Sequence, residues 1–177
     1  MIYFDNAATG GFKAAAVTEA AVTAVKYLCA NPGRSGHRLA VTGAKIVLSA
    51  REALAAMFNA ETADRVIFTK NATEAINLAL QGTAKKGGHI VTTVYEHNSV
   101  WRTLTYLQER CGVRVSVTDG TAAAIKAALT ADTYLVMVNH VSNVTGREAD
   151  LAAIGETLKK TNAIFACDCA QSAGHTP

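Results

Sequence analysis

Short, continuous Val- and Ile-rich runs alternate with longer helix-period segments, and this alternation constrains the fold more than any other feature of the chain. The runs are 66–69 (VIFT), 89–94 (HIVTTV), 113–117 (VRVSV), 134–138 (YLVMV) and 163–167 (AIFAC). Most are largely apolar along their length rather than at every second position, the pattern of a parallel strand buried on both faces. Helical patterns lie near 73–81, 98–110, 121–130 and 150–160. Strand–helix alternation predicts an α/β domain, a mainly parallel sheet with flanking helices. Two more helices are predicted before the first run, near 13–29 and 38–58. Pro32, Gly33 and Gly36 make the segment between them a loop, and Arg34, His37 and Arg38 make it basic.

The totals exclude several classes of function. Hydrophobic residues make up 50% of the 177 and charged residues 18%, which is unlike a disordered chain. The net charge of +3 is spread out, with only Lys85-Lys86 and Lys159-Lys160 adjacent, so no clustered basic face for nucleic acid is expected. No window approaches the ~20 apolar residues of a membrane span. The N-terminal MIYFDNAATG lacks the basic and apolar regions of a signal peptide, so a cytoplasmic setting is expected. There, Cys29, Cys111, Cys167 and Cys169 are read as thiols. Cys167 and Cys169 have no second Cys/His pair at ligand spacing, so no metal site is expected.

In parallel α/β sheets the ligand sits outside the carboxyl ends of the strands. The segment after each run is therefore where chemistry is sought. After 66–69 comes KNATEA, where a helix starting near Thr73 offers free N–H groups and a hydroxyl to an anion. Asn71 or Thr73 acting only as a helix cap fits the same residues. After 89–94 comes Glu96-His97, and His97 can stack on a planar ligand, move a proton, or simply bond the backbone at a helix start. Asn143, in VSNVTG, can hold a ring oxygen or belong only to a turn ending at Gly146. Asp168 ends the last run and can keep a heteroaromatic nitrogen protonated, or cap the next element. Gln171 stands three residues on and can donate to an oxygen of the same ligand. Neither a Walker A loop nor a dinucleotide glycine fingerprint is present. A phosphate, an aromatic ring, a pyridine-type nitrogen and a ring oxygen together describe pyridoxal 5′-phosphate.

The same stretches carry a family resemblance. YFDNAAT (3–9), NPGRSGHRL (31–39), VIFTKNATEAINLAL (66–80), EHNSV (96–100), VNHVSNVTG (138–146) and DCAQSAG (168–174) occur in that order. In them the chain resembles the class V aminotransferases, in the branch of cysteine desulfurases and selenocysteine lyases. The resemblance implies the large domain of a type I PLP-dependent transferase. Residues 1–12 would be an N-terminal active-site loop segment and 13–177 part of the cofactor-binding domain. It further implies that Ala72 and Thr73 hold the cofactor phosphate and that His97 stacks on the pyridine ring. Asn143 would contact the ring oxygen or the substrate side, Asp168 the pyridine nitrogen and Gln171 the ring oxygen. Asn6, Ala7 and Ala8 would line the substrate entrance, with His37 near the site. Gly10 stands where the family usually has a second Thr, and the usual proline just beyond is missing.

In this family the Schiff-base lysine sits in a Ser-x-His-Lys type motif after the DxxQ segment, and none of the nine lysines here lies in such a motif. The resemblance thus implies a chain that stops before that lysine and before the nucleophilic cysteine of desulfurases. It also implies that strands formed after DxxQ insert between 66–69 and the rest of the sheet, leaving 66–69 an exposed edge that rearranges or pairs with another copy. The expected parent is a homodimer that abstracts sulfur or selenium from an amino acid, or transfers its amino group, with a sulfur-acceptor protein as a further partner. The 177 residues alone are expected to be inactive. The alternative is a non-catalytic cofactor-binding or dimerisation module, and the DNA after codon 177 separates the two.

Overall fold

The structure, a computed structural model, describes residues 2–4 and 6–176. The chain divides into two compact units, with the boundary between Phe68 and Thr69.

The first unit contains helices α1 (Ala15–Tyr27) and α2 (Arg38–Met57) and a 3-10 turn (Ala63–Arg65). Ala-rich sequence without Gly or Pro sustains α1, whose last turn closes by Leu28 N–H donating to the Ala24 carbonyl. His37 starts α2, its ring nitrogen accepting from the Ala40 N–H at 3.3 Å. Within the unit Gly43 lies against the Ala30 carbonyl and Pro32, so helix and basic loop pack closely. Burial is sparse: α1 has no buried residue, and Val17, Val22, Val25 and Tyr27 are exposed.

The expected strand at 66–69 needs correction. Val66 has extended backbone, but no residue of 66–69 pairs in a sheet. Ile67 is 64% exposed and Phe68 51%. Strand-type composition makes a strand only where a neighbour completes the hydrogen-bond ladder. None of the four strands of the sheet pairs with this run.

The second unit is a four-stranded sheet in the order β2-β1-β3-β4, all parallel. Its strands are β1 (His89–Thr93), β2 (Arg114–Thr118), β3 (Thr133–Asn139) and β4 (Ile164–Asp168). Its helices are α3 (Ala72–Gly82), α4 (Asn98–Cys111), α5 (Ala122–Ala128) and α6 (Leu151–Leu158). The central strands β1 and β3 are buried at every position, and the edge strands β2 and β4 only in part. Side-chain alternation divides β3 between two cores. Leu135 and Met137 join Ile90 and residues of α3 and α4, including Leu80 and Leu104. Val136 and Val138 join Val91 with Ile125 of α5 and Ile154 and Leu158 of α6. Each fully buried aliphatic side chain stabilises by about 1.5–3 kcal/mol relative to exposure. Helices on both faces therefore explain why these runs are continuous rather than alternating in the sequence.

The two ends of this sheet differ. At the amino end His89 is buried, with Nδ1 2.8 Å from Thr133 Oγ1 and Nε2 2.9 Å from Ser116 Oγ. At the carboxyl end Thr93, Asn139 and Asp168 finish β1, β3 and β4, and Asn139 pairs in register with Asp168. All three are buried polar residues.

Candidate functional site

The helix start at KNATEA is built by its own side chains. Asn71 Oδ1 accepts from the Glu74 N–H at 2.9 Å, and Glu74 Oε2 accepts from the Lys70 N–H at 2.7 Å. This reciprocal capping consumes the Glu74 donor, but none of the described residues accepts from the Ala72 or Thr73 N–H. Both residues are exposed, so a dipole-favoured pair of donors faces open space. Asn71, not Thr73, is the cap.

His97 caps α4. Its Nδ1 accepts from the Ser99 N–H at 3.2 Å and lies 2.8 Å from Ser99 Oγ. The backbone bond that a helix-start His can make is therefore formed. The residue stays exposed. Thr73 and His97 line one cleft of about 350 Å³ with Asn77, Asn98, Ser99 and Arg102. Asn77 braces it: Nδ2 donates to the Thr73 carbonyl at 2.8 Å, and Oδ1 accepts from Thr103 Oγ1 at 2.7 Å. Asn77 lies four residues after Thr73, and Ser99 and Arg102 lie on the first turns of α4. Helical spacing from Thr73 and His97 could have found all three.

Asp168 is 6% exposed. Its Oδ1 accepts from the Ala170 N–H at 3.0 Å, so it does cap the following turn. Among the described residues no Lys, Arg or His forms an ion pair with it. Close by is Glu96, the residue before His97 and also buried. Burial pushes the Glu96 carboxyl up to about 7, with the Asp168 charge adding to the effect and hydrogen bonds from Thr93 and Asn139 opposing it.

The remaining expected residues are spread more widely. Asn143 is exposed in a turn where Gly146 N–H donates to the Ser142 carbonyl at 2.9 Å. It does not line the Thr73–His97 cleft. Gln171 is half-buried beside Ser172, whose Oγ lies 2.8 Å from His140 Nδ1. Asn6 Oδ1 accepts from the Gly11 N–H at 2.9 Å, and Asn6, Ala7 and Ala8 are exposed within the first unit. His37 in the same unit is the α2 cap described above. Cys167 is exposed on the edge strand, yet desolvation by the surrounding protein, with Cys169 and Glu96 adding, pushes its thiol up to about 12. The described residues contain no cluster of three metal-ligating side chains, and no helix among them is long and apolar enough to cross a membrane.

The family model for class-V aminotransferases matches residues 2–177. The chain belongs to the class-V aminotransferase family. Members of the family depend on pyridoxal phosphate. The chain is 40% identical over 154 residues to cysteine desulfurase IscS of Vibrio cholerae serotype O1, covering 81% of this chain and 38% of that protein. It is 39% identical over 154 residues to IscS of Pseudomonas fluorescens, with the same coverage. The chain thus spans 38% of the length of these curated relatives. Among solved structures, SspA in complex with cysteine superposes with a TM-score of 0.88 at 29% identity, covering 97% of this chain and 51% of that one. The apo cysteine desulfurase of Thermococcus onnurineus NA1 gives a TM-score of 0.87 at 33% identity, covering 98% and 45%.

The described site suits the family's cofactor on two observations. Among the described residues the Ala72 and Thr73 N–H groups lack acceptors, which a phosphate supplies. Asp168 is a buried carboxylate without an ion-pair partner among them, which a protonated pyridine nitrogen supplies.

Proposed function

We propose that these residues form the cofactor-binding part of a PLP-dependent enzyme of cysteine desulfurase type. The observation that carries the reading is the pairing of unclaimed α3 N–H groups with an exposed, capped His97 in one cleft. Asp168, buried at the carboxyl end of the same parallel sheet, supports it. Pyridoxal phosphate supplies an electron sink for bonds broken at the α-carbon of an amino acid. The residues of this chain do the holding. Ala72 and Thr73 bind the phosphate through backbone N–H and hydroxyl. His97 presents its ring face to the pyridine ring. Asp168 keeps the proton on the ring nitrogen. Gln171 and Asn143 serve the ring oxygen side, and Asn6, Ala7 and Ala8 the substrate entrance.

The whole enzyme would act on cysteine or a related amino acid in the cytoplasm, as a homodimer that passes sulfur to an acceptor protein. Similarity to the desulfurases of Vibrio and Thermococcus favours sulfur abstraction over amino-group transfer. Assayed alone, the 177 residues should bind cofactor without turnover, since none of their lysines lies in the family's Ser-x-His-Lys motif. Calorimetric titration with PLP and with pyridoxal tests the cleft. PLP should bind at least about tenfold more tightly, the worth of one charge-assisted anion site. Equal affinities contradict the phosphate role of α3.

A further inference from the structure

Glu96 precedes His97 in the chain, and its side chain turns back into the sheet. Its Oε1 accepts from Thr93 Oγ1 at 2.7 Å and from the Asn139 N–H at 2.8 Å. Asn139 Nδ2 in turn donates to the Tyr95 carbonyl at 3.0 Å. Asn139 is the register partner of Asp168. One carboxyl therefore joins the end of β1, the turn that delivers His97, and the end of β3 beside Asp168. Glu96 Oε2 is buried and takes no hydrogen bond from the described residues.

We infer that Glu96 is a positioning residue of the cofactor site, a buried carboxyl that ties the turn carrying His97 to the strand end neighbouring Asp168. The inference rests on the cofactor reading proposed above for what His97 and Asp168 hold. The titratable group acting on Glu96 is Asp168 on β4, and Glu96 in turn acts on Cys167 of the same strand. The groups that β1 and β3 present to it, Thr93 and Asn139, are neutral. The Asp168 charge adds to burial in disfavouring a charge on Glu96. A protonated Glu96 also spares the unpartnered Oε2 the cost of a buried charge. Ionisation keeps the two hydrogen bonds accepted by Oε1, which favour the charged form, but puts a buried charge on the unpartnered Oε2, and relief of that cost should shift the strand ends that Glu96 joins.

The test has two arms on the 177-residue chain, each run on wild type, Glu96→Gln and Glu96→Ala. In the first, NMR of the unliganded chain follows the Asn139 amide and the His97 and Asp168 side chains from about pH 5.5 to about 8. The wild-type Asn139 amide should titrate near neutrality, the Gln variant should be flat, and the Ala variant should displace the His97 and Asp168 resonances. In the second, the circular dichroism of added PLP reads how firmly the ring is held. The Gln variant should bind within about threefold of wild type at pH 6, and the Ala variant at least about tenfold more weakly. The wild-type band should fade as pH rises to about 8, and the Gln band should not. A pH-invariant Asn139 amide, undisturbed His97 and Asp168 in the Ala variant, or equal PLP binding by wild type and Ala variant overturns the inference. If no PLP binds while the NMR arm behaves as expected, the cofactor reading fails and the positioning role stands.

Discussion

At the residue scale the decisive groups are three buried titratable side chains at opposite ends of one sheet. Asp168 is given the ring nitrogen, so Asp168→Ala should weaken PLP binding at least about tenfold, corresponding to about 1.4 kcal/mol; an absorbance titration measures it. Glu96 and His89 give opposite pH dependences. The Glu96 carboxyl is raised from 4.5 to about 7 in the folded chain, so the fold binds its proton more tightly than the unfolded chain does. That stability is complete at low pH and is lost as pH rises through about 7, a change on the order of 3 kcal/mol. His89 is lowered from 6.5, chiefly by burial and then by the Arg114 charge, with Asp132 opposing. Its contribution is present above pH 6.5 and is lost as pH falls below that value. Melting temperatures from about pH 5 to about 8 should thus lose their alkaline decline in Glu96→Gln and keep their acid decline. His97, Asp168 and Gln171 were legible in the sequence as polar residues just past strands. Glu96 stood beside His97 and was equally visible. Its importance came from burial against β3, a contact across 43 positions that no local pattern carries.

At the element scale, two-faced burial made the α/β reading possible. β1 and β3 are buried at every position because α3 and α4 cover one face and α5 and α6 the other. The edge strands begin and end one residue from where the apolar runs placed them, since pairing rather than composition sets their limits. The run at 66–69 has the same composition and is no strand, because no ladder is offered to it. Helix α3 carries part of the core and the proposed anion site, so its cap is a sensitive point. Asn71→Ala should cost about 1 kcal/mol of stability and weaken PLP more than pyridoxal, read by thermal melts and by calorimetry. Leu104→Ala, in the core shared by α3 and α4, should cost about 2–5 kcal/mol by denaturant unfolding while leaving the relative affinities for PLP and pyridoxal unchanged.

At the scale of the whole molecule the two units differ in how much they bury. The second holds both apolar cores, whereas the first leaves Val17, Val22, Val25, Tyr27, Ile67 and Phe68 exposed. Apolar surface of that kind drives association. Light scattering at about 50 μM should give a mass above the 18.5 kDa of one chain, and a concentration-independent 18.5 kDa would argue against it. Hydrogen exchange should reach residues 15–57 well before 89–139, because protection follows burial. The relation of the first unit to the chemistry was expected from the family resemblance alone, since composition and periodicity in 1–68 point only to helices, a loop and the start of the 66–69 run. The central claim lies in the second unit, that the carboxyl end of its sheet binds PLP through α3, His97 and Asp168. Visible circular dichroism of PLP titrated into the chain tests it most directly. A saturable induced band, lost in Asp168→Ala, is the expected result. A spectrum matching free PLP at every concentration up to about 1 mM would contradict the claim.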